Sequence, residues 1–514
     1  MKNSTIWFYS LFVAILFTGV FGYMFNNGDQ AEHLPQVYHL QNRLLYTHDF
    51  FMQEYVRQFT IRDYYAFTIN LLSTFMSVEW VCFLLQLFAI TFTAFGIFRL
   101  TQRLTENKLA PFVAPILALI VFRSFTVGGN AVQDVQFISS SLAVPFALYA
   151  FYKLIDGKYI AAGAFAGFAT LNQPLIGIQA FMVIAGVMAI RNRKIFFGTI
   201  VYTVLAYFAA AVLMLFPLVL RQFMTPFTGD ENLYYTLLYN FRNFDHYLPH
   251  LFPITDYIKF GFITLAGIAL LIKTDIREAQ TVRLIYVFIL LGLAVYTAAT
   301  ELHYMYSLGK LQWFKTTVWL SIFGSILISI KLAGWWEKTI LTPGVVKVFR
   351  RALPILGVGM FIVIVNSAMI PQLADKYQIG NYTKNDLTLM HEWIEKNTDI
   401  NSIILTEPAD NSFACEAKRS QPISFKAIIH EPGFMLKWYT LVKEVYGITV
   451  EDVIPKKDKA MKLANSLYKE RNYKEHITIP ITINYRIDNV QTCQYIDNLG
   501  KVVHKQGDWV LTEF

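Results

Sequence analysis

The chain has 514 residues, 55% of them hydrophobic and 16% aromatic, with only 16% charged and a mean hydropathy of +0.40. Soluble domains do not carry this composition at such length, and the chain reads as a polytopic membrane protein. The formal net charge is +8, yet residues 372–514 carry 18 Lys and Arg against 19 Asp and Glu, while the first 371 carry 26 against 17. A basic excess confined to the hydrophobic part encodes membrane topology and argues against a nucleic-acid partner.

Thr5 to Tyr23 is almost wholly apolar and long enough to cross a bilayer as a helix. Its Met1-Lys2 start also fits a signal peptide, but Phe21-Gly22-Tyr23-Met24-Phe25 is too bulky for a cleavage site, so a retained helix is expected. Directly after it comes the polar stretch Asn26-Asn27-Gly28-Asp29-Gln30-Ala31-Glu32-His33-Leu34-Pro35. Asp29 and Glu32 therefore belong at the membrane surface, one helical turn apart if the loop opens as a helix. Farther along this loop Asp49, Glu54 and Arg62 read as solvated charges, and Tyr64, Tyr65 and Phe67 as part of a helix lying along the interface.

Apolar runs near 79–98, 109–123, 138–153, 159–171, 175–190, 195–219, 258–273, 284–299, 315–333 and 352–370 bring the expected spans to eleven. The 159–171 and 175–190 runs are joined by Asn172-Gln173-Pro174 and read as a tight hairpin or a re-entrant pair. Compact basic connections follow every even-numbered span, among them Arg99 and Arg103, Lys153 and Lys158, Arg191 with Arg193 and Lys194, and Lys347 with Arg350 and Arg351. The positive-inside rule then places the N-terminus in the cytoplasm and the long loops 26–78 and 220–257 outside, with the C-terminal segment. Arg123, Asn130, Asp134 and Gln136, with Gln173 in the next loop, fall on the same expected side.

From about Ala374 charged residues return, and residues 372–514 read as a small α/β domain. Helices are expected over Lys384–Lys396, Glu431–Tyr446 and Lys456–Arg471, strands over Ser402–Thr406, Ile423–Ile429 and Ile477–Tyr485, and a hairpin turning at Asn498-Leu499-Gly500. Cys415 and Cys493 share this domain, where a disulfide and two free thiols are both compatible with the spacing. The fold class is thus an α-helical polytopic membrane protein, residues 1–371, with a C-terminal extracytoplasmic α/β domain, residues 372–514.

One span, an acidic external loop, many further spans and a terminal external domain together resemble the GT-C superfamily of membrane glycosyltransferases. Closer local likeness is to a poorly characterised bacterial group of GT-C-like layout. It rests on Tyr239-Asn-Phe-Arg242-Asn-Phe-Asp245-His246-Tyr-Leu-Pro249-His250, on Trp393-Ile-Glu-Lys-Asn397-Thr398, and on Ile404-Leu-Thr406-Glu-Pro408 through to Arg419 and Lys426. The resemblance implies transfer of a sugar from a polyprenyl-phosphate carrier to a glycan, lipid or protein outside the plasma membrane. It also implies that Asp29 acts beside the acceptor, as base or metal ligand, with Glu32 next in line. Such transfer needs one base at the acceptor hydroxyl and cations on the departing phosphate.

Arg242 offers a forked donor set suited to phosphate. His246 and His250 are four apart, but Pro249 between them breaks the helix that would pair them on a metal. Glu301, His303, Tyr304, Lys310 and Lys315 form a third polar group. Lys315 is an outward cation against the charge bias, suited to a lipid phosphate or to snorkelling at a helix end; the related group carries Arg near this position. His33 and Gln173 complete the substrate-binding candidates, and Asp29 with His33 are the donors a divalent ion would take. Arg419 and Lys426 read as solvated charges of the C-terminal domain.

There is no phosphate-binding G-x-x-x-x-G-K-[ST] loop, no G-x-S-x-G and no H-E-x-x-H. An enzyme of this sequence draws its energy from an activated lipid donor. The rival reading is a non-catalytic transporter or assembly factor for an envelope polysaccharide. Transporters of this size carry charges at mid-membrane and related halves, whereas here the charges gather in the loops. The topology is checked by reporter fusions: those after Arg193 and Arg351 are expected to read cytoplasmic, and one after Phe514 external. A cytoplasmic C-terminus would displace every proposed site residue.

Overall fold

The computed structural model describes residues 3–191, 197–224, 227, 229–242, 244–273, 276–303, 305–339, 343–367, 373, 375–379, 384–453, 460–470, 482–494 and 500–514. Arg193, Lys194, Tyr304, Ala374, Asn498 and Leu499, and most of the expected strand Ile477–Tyr485, lie outside them. The chain is mostly helical and divides into two units: unit 1 is Met1–Met24, Glu79–Val219 and Asp245–Asn381, and unit 2 is Phe25–Val78, Leu220–Phe244 and Tyr382–Phe514. Most of the first long loop and part of the second therefore belong with the C-terminal segment.

Among the described residues seven helices are long and apolar enough to cross a membrane: Asn3–Phe21, Val78–Leu104, Pro174–Arg191, Phe197–Met224, Ile254–Lys273, Ala279–Leu302 and Ser307–Glu337. The expected spans at 109–123, 138–153 and 159–171 correspond to shorter helices, Ala110–Val121, Ser139–Ile155 and Tyr159–Asn172, and in Pro343–Val365 only Ile355–Val365 is apolar throughout. At 1.5 Å per residue, a helix of 12 residues reaches about 18 Å, short of the roughly 30 Å hydrocarbon core. Pro115 and a π-turn at Leu117–Val121 interrupt the first of these, and Pro145 lies inside the second.

Within unit 1, Tyr159–Asn172 and Pro174–Arg191 form a tight helical hairpin joined by Gln173 alone, whose extended backbone (φ −147°, ψ 105°) reverses the chain. The first of these helices carries Gly163 and Gly167, one turn apart. A Cβ on Gly163 would stand 2.3 Å from the Thr203 carbonyl oxygen, and one on Gly167 2.5 Å from that of Tyr207. The two glycines thus let the backbone of Phe197–Met224 come into contact, the small-residue mode by which apolar helices associate in lipid. Arg123 organises a loop of the same unit: its Nε donates to the Gln133 carbonyl at 2.7 Å, and its guanidinium lies over Phe17 and Phe21, 5.3 and 4.7 Å from the ring centres.

Unit 2 is α+β. From the first loop come Gly28–Gln41, Phe50–Tyr55 and Asp63–Leu72, from the second Glu231–Thr236, and from the C-terminal segment Asp386–Asn397, Phe413–Ala417, Pro432–Tyr446, Val450–Val453 and Ala460–Glu470. Four strands, β1 (Ile404–Leu405), β2 (Tyr485–Asn489), β3 (Val502–Gln506) and β4 (Trp509–Glu513), make one sheet in the order β1-β2-β4-β3, parallel between β1 and β2 and antiparallel elsewhere. Met390, Ile394, Ile404, Phe413, Ile487 and Leu511 form its core. Asp386–Asn397 places Leu387, Met390, His391 and Ile394 at three- and four-residue spacing, which is why one face packs on the sheet.

Two expectations for this region are corrected. Ile423–Ile429 is irregular, not a strand, because its backbone groups are taken by side chains from elsewhere in unit 2. The closing hairpin turns at Gly507-Asp508, where Gly507 takes the left-handed conformation (φ 56°) that a two-residue turn demands. Of the two alternatives for Cys415 and Cys493 the structure has free thiols, and the Cys415 thiol donates to the Ala31 carbonyl at 3.3 Å.

Replacing Gly167 by Leu forces a side chain into the Tyr207 backbone. Overpacking of this kind costs about 1–3 kcal/mol. The variant is expected to unfold earlier than the parent in a detergent thermal melt, whereas Gly261→Ala, at a helical glycine with open space around its Cβ position, is expected to lose less.

Candidate functional site

Asp29, Glu32, His33 and Arg242 belong to unit 2, and the residues that surround them come from three stretches of the chain. Gly28–Gln41 starts at the polar stretch because Asn27 is extended (φ −127°, ψ 159°) and Gly28 tolerates φ 49°; Asp29 in the first turn complements the helix dipole. Asp29, Glu32, His33 and Gln36 follow the i, i+3, i+4, i+7 spacing of one helical face.

Glu32 is buried and paired with Arg62, and its Oε1 also accepts from the Ile428 amide at 3.2 Å. Arg62 in turn donates through Nη1 to the Ile428 carbonyl at 3.0 Å. Burial pushes the Glu32 carboxyl upward, against the pull of Arg62, Lys426 and Arg242. Arg242, on the π-turn Leu237–Arg242, donates through Nη2 to the Lys426 carbonyl at 3.0 Å and lies 5.9 Å from the centre of the Phe425 ring. Lys426 reaches Asp29, Nζ to Oδ1 2.8 Å; the Asp29 side chain is 54% exposed and that of Lys426 26%. Lys426, expected to be a solvated charge, is the residue paired with the leading candidate.

His33 packs edge-on against Tyr65, ring centres 5.0 Å apart, and its Nδ1 is buried without a hydrogen-bond partner among the described residues. Burial lowers its pKa to about 3, assisted by Arg62 and Lys426. His33 is therefore a neutral imidazole across the working pH range, not a cation for phosphate. Among the described residues no group of three or more His, Cys, Asp or Glu side chains is disposed to hold a metal ion. With Asp29 paired to Lys426 and His33 turned to Tyr65, these residues do not fit a divalent ion.

A cavity lined by Glu32, Pro35, Asp49, Asn411, Gln421 and Lys426 has about 20 Å³ of interior space, room for one water molecule and not for a sugar. Asp29 and Lys426 are more exposed than Glu32 and Arg62.

Two charges expected to be solvated are structural instead. Arg62 is the partner of Glu32. Asp49 is buried, caps Phe50–Tyr55 by accepting from the Met52 amide at 2.9 Å, and accepts from the Gln421 amide at 3.0 Å; burial raises its pKa to about 6. Arg419, also expected at the surface, is buried, with Nε on Thr398 Oγ1 at 3.0 Å and Nη2 on the carbonyls of Glu395 and Thr398 at 2.6 and 2.9 Å.

A third feature escaped the sequence reading. His391 is fully buried between Asp410, Nε2 to Oδ2 3.0 Å, and Glu416, Nδ1 to Oε2 2.8 Å, and Asn26 Nδ2 donates to the other Glu416 oxygen at 3.2 Å. Its place on the apolar face of a helix was the available signal. Burial alone would lower its pKa, but the two carboxylates outweigh burial and raise it to about 9.

The other four candidates belong to unit 1. His250 Nδ1 lies 2.9 Å from both oxygens of Glu301, and its backbone amide donates to Oε1 at 3.1 Å. His246 is exposed, with its ring beside Gly129, where a Cβ would stand 3.5 Å from its Cε1. His246 lies in the short helix Phe244–Tyr247 and His250 in the 3-10 turn Pro249–Leu251, so the two do not share a helix. Lys315 is half-buried in the 3-10 turn Trp313–Thr316 and donates its amide to Gln312, itself left-handed at φ 43°. Gln173 is the hairpin residue described above.

Residues 385–445 match a domain of unknown function, DUF6798. That stretch carries His391, Asp410, Glu416, Arg419 and Lys426. No curated protein matches the chain.

The His391 ion pairs give a pH dependence. The folded pKa of about 9 lies above the ordinary 6.5, so the stabilisation is complete below pH 6.5 and is lost as pH rises through 9. The shift corresponds to roughly 3 kcal/mol. Thermal melts of the parent are expected to fall from pH 6.5 to 9.5 more steeply than those of His391→Gln; equal slopes would show that His391 is not charged in the folded protein.

Proposed function

We propose that this chain is a GT-C-type glycosyltransferase, moving a sugar from a polyprenyl-phosphate carrier to an acceptor outside the plasma membrane. The observation that carries the reading is the half-exposed Asp29 carboxylate, paired with Lys426 at the edge of a cluster in which Arg62 and Arg242 also lie close to Glu32. Three cations gathered around a surface carboxylate suit a site whose ligand brings an anion of its own. Chain order supports the same reading. Asp29 follows the helix Asn3–Phe21 by eight residues, within reach of a membrane surface where a lipid-linked donor would present its phosphate. The proposal includes eleven spans, a cytoplasmic N-terminus and residues 372–514 outside.

In this scheme Asp29 is the base. It takes the proton of the acceptor hydroxyl as the acceptor oxygen bonds to the anomeric carbon, and the bond from that carbon to the phosphate oxygen breaks with its electron pair leaving on the polyprenyl phosphate. Cations nearby stabilise the charge that develops on the phosphate. Glu32 is a positioning residue: its carboxylate is committed to Arg62 and Ile428. His33, neutral and packed on Tyr65, contributes shape and a hydrogen-bonding nitrogen.

Asp29→Asn keeps the side-chain shape and removes the base. It is expected to insert and melt like the parent while transfer from labelled polyprenyl-phosphate sugars in membranes falls by about 100-fold or more, the scale for loss of a positioned base. Parent-level transfer by the variant would remove Asp29 from catalysis.

A further inference from the structure

Ser424–Ile428 has no regular secondary structure, yet side chains hold its backbone at almost every step. The Ser424 carbonyl accepts from Trp438 Nε1 at 3.0 Å, Ser424 Oγ accepts from the Ala427 amide at 3.0 Å, the Lys426 carbonyl accepts from Arg242, and Ile428 is held at both its amide and its carbonyl by Glu32 and Arg62. Much of this hydrogen bonding goes to fixing the direction of one half-exposed ammonium group. Arg62 and Arg242 each spend donors on that backbone, whereas the ammonium of Lys426 extends to Asp29, the most exposed acid of the cluster.

We propose that Lys426 is an anion-binding residue for a phosphate monoester, and that its pairing with Asp29 is the contact such a ligand opens. A half-exposed ion pair contributes little net free energy. An incoming phosphate monoester carries about −1.5 to −2 charges and three acceptor oxygens, and so competes with a single carboxylate for the ammonium. In the proposed transfer the sugar-bearing donor is a phosphodiester and the monoester is the departing polyprenyl phosphate; Lys426 turns to it as its second charge develops, and Asp29, relieved of its ion pair with Lys426, keeps the proton it has taken. The inference rests on the proposed glycosyltransferase reading for the identity of its ligand, a lipid-linked phosphate, but the charge exchange itself does not require sugar transfer.

The test uses full-length protein in detergent, with decyl phosphate as the probe, decanol as its uncharged control and inorganic phosphate as the soluble alternative, binding being read by calorimetry. Lys426→Met is expected to weaken decyl phosphate binding at least tenfold, Lys426→Arg to stay within about threefold of the parent, and Asp29→Asn to bind severalfold tighter because the competing carboxylate is gone. A pair that only supported the fold would not give opposite signs for its two members. Unchanged affinity in Lys426→Met, with the variant folded by size-exclusion chromatography, or weaker binding in Asp29→Asn overturns the proposal. Decyl phosphate binding tenfold tighter than inorganic phosphate supports a lipid-linked ligand, and equal binding supports a soluble phosphate at the same site. If the parent transfers no sugar while the opposite signs hold, the glycosyltransferase reading fails and the anion site stands. If it transfers sugar and Lys426→Met binds normally, the anion site alone fails.

Discussion

The buried pair of Glu32 and Arg62 is the constraint on which unit 2 turns. Two charges taken out of water are tolerated only when their remaining hydrogen-bonding capacity is met, and here the backbone of Ile428 meets it from both sides. One interaction therefore joins the helix that begins at Gly28, the start of Asp63–Leu72 and the irregular stretch around Lys426. The position of Lys426, and with it the electrostatic setting of Asp29, follows from that tie.

Around this tie the first loop is stitched to the C-terminal segment by short polar contacts. Tyr46 donates to the Ala414 carbonyl at 2.7 Å, Asp49 accepts from Gln421, Cys415 donates to Ala31 and Asn26 reaches Glu416. Glu416 is also one jaw of the clamp on His391. Loop segments that would be mobile alone thus share the stability of a packed α+β unit, which is what a base needs if it is to be held at a fixed distance from a reacting atom. In unit 1 the organising devices differ: close backbone approach at Gly163 and Gly167, and a guanidinium over aromatic rings at Arg123.

What was legible in the sequence was what depends on periodicity and local signals. Long apolar runs mark the helices that are long enough to span, Glu431 before Pro432 marks the start of Pro432–Tyr446, and the 3–4 spacing from Leu387 to Ile394 marks a buried face. The runs at 109–123, 138–153 and 159–171 form short helices, the first of them carrying Pro115 and ending in a π-turn. Ile423–Ile429 looked like a strand because apolar β-formers dominate it. Its backbone is instead satisfied by Arg62, Glu32, Arg242 and Trp438, partners more than 180 residues away in three of the four cases. The charges misread as solvated fail for that same reason: each has a partner outside its own window, Ile428 for Arg62, Gln421 for Asp49, Glu395 for Arg419 and Asp29 for Lys426, and Asp49 also has a local one, the Met52 amide that it caps. Asp29 and Glu32 stood out because they follow a span directly, but their different environments, one half-exposed and one buried, come from tertiary packing.

The most direct test of the account is a structure of the full-length protein bound to a polyprenyl phosphate. It is expected to show the phosphate oxygens within hydrogen-bond reach of Lys426 Nζ, about 2.7–3.0 Å, with the 2.8 Å contact between Lys426 and Asp29 opened and the pair of Glu32 and Arg62 unchanged. A phosphate bound elsewhere, with Lys426 still on Asp29, would contradict it.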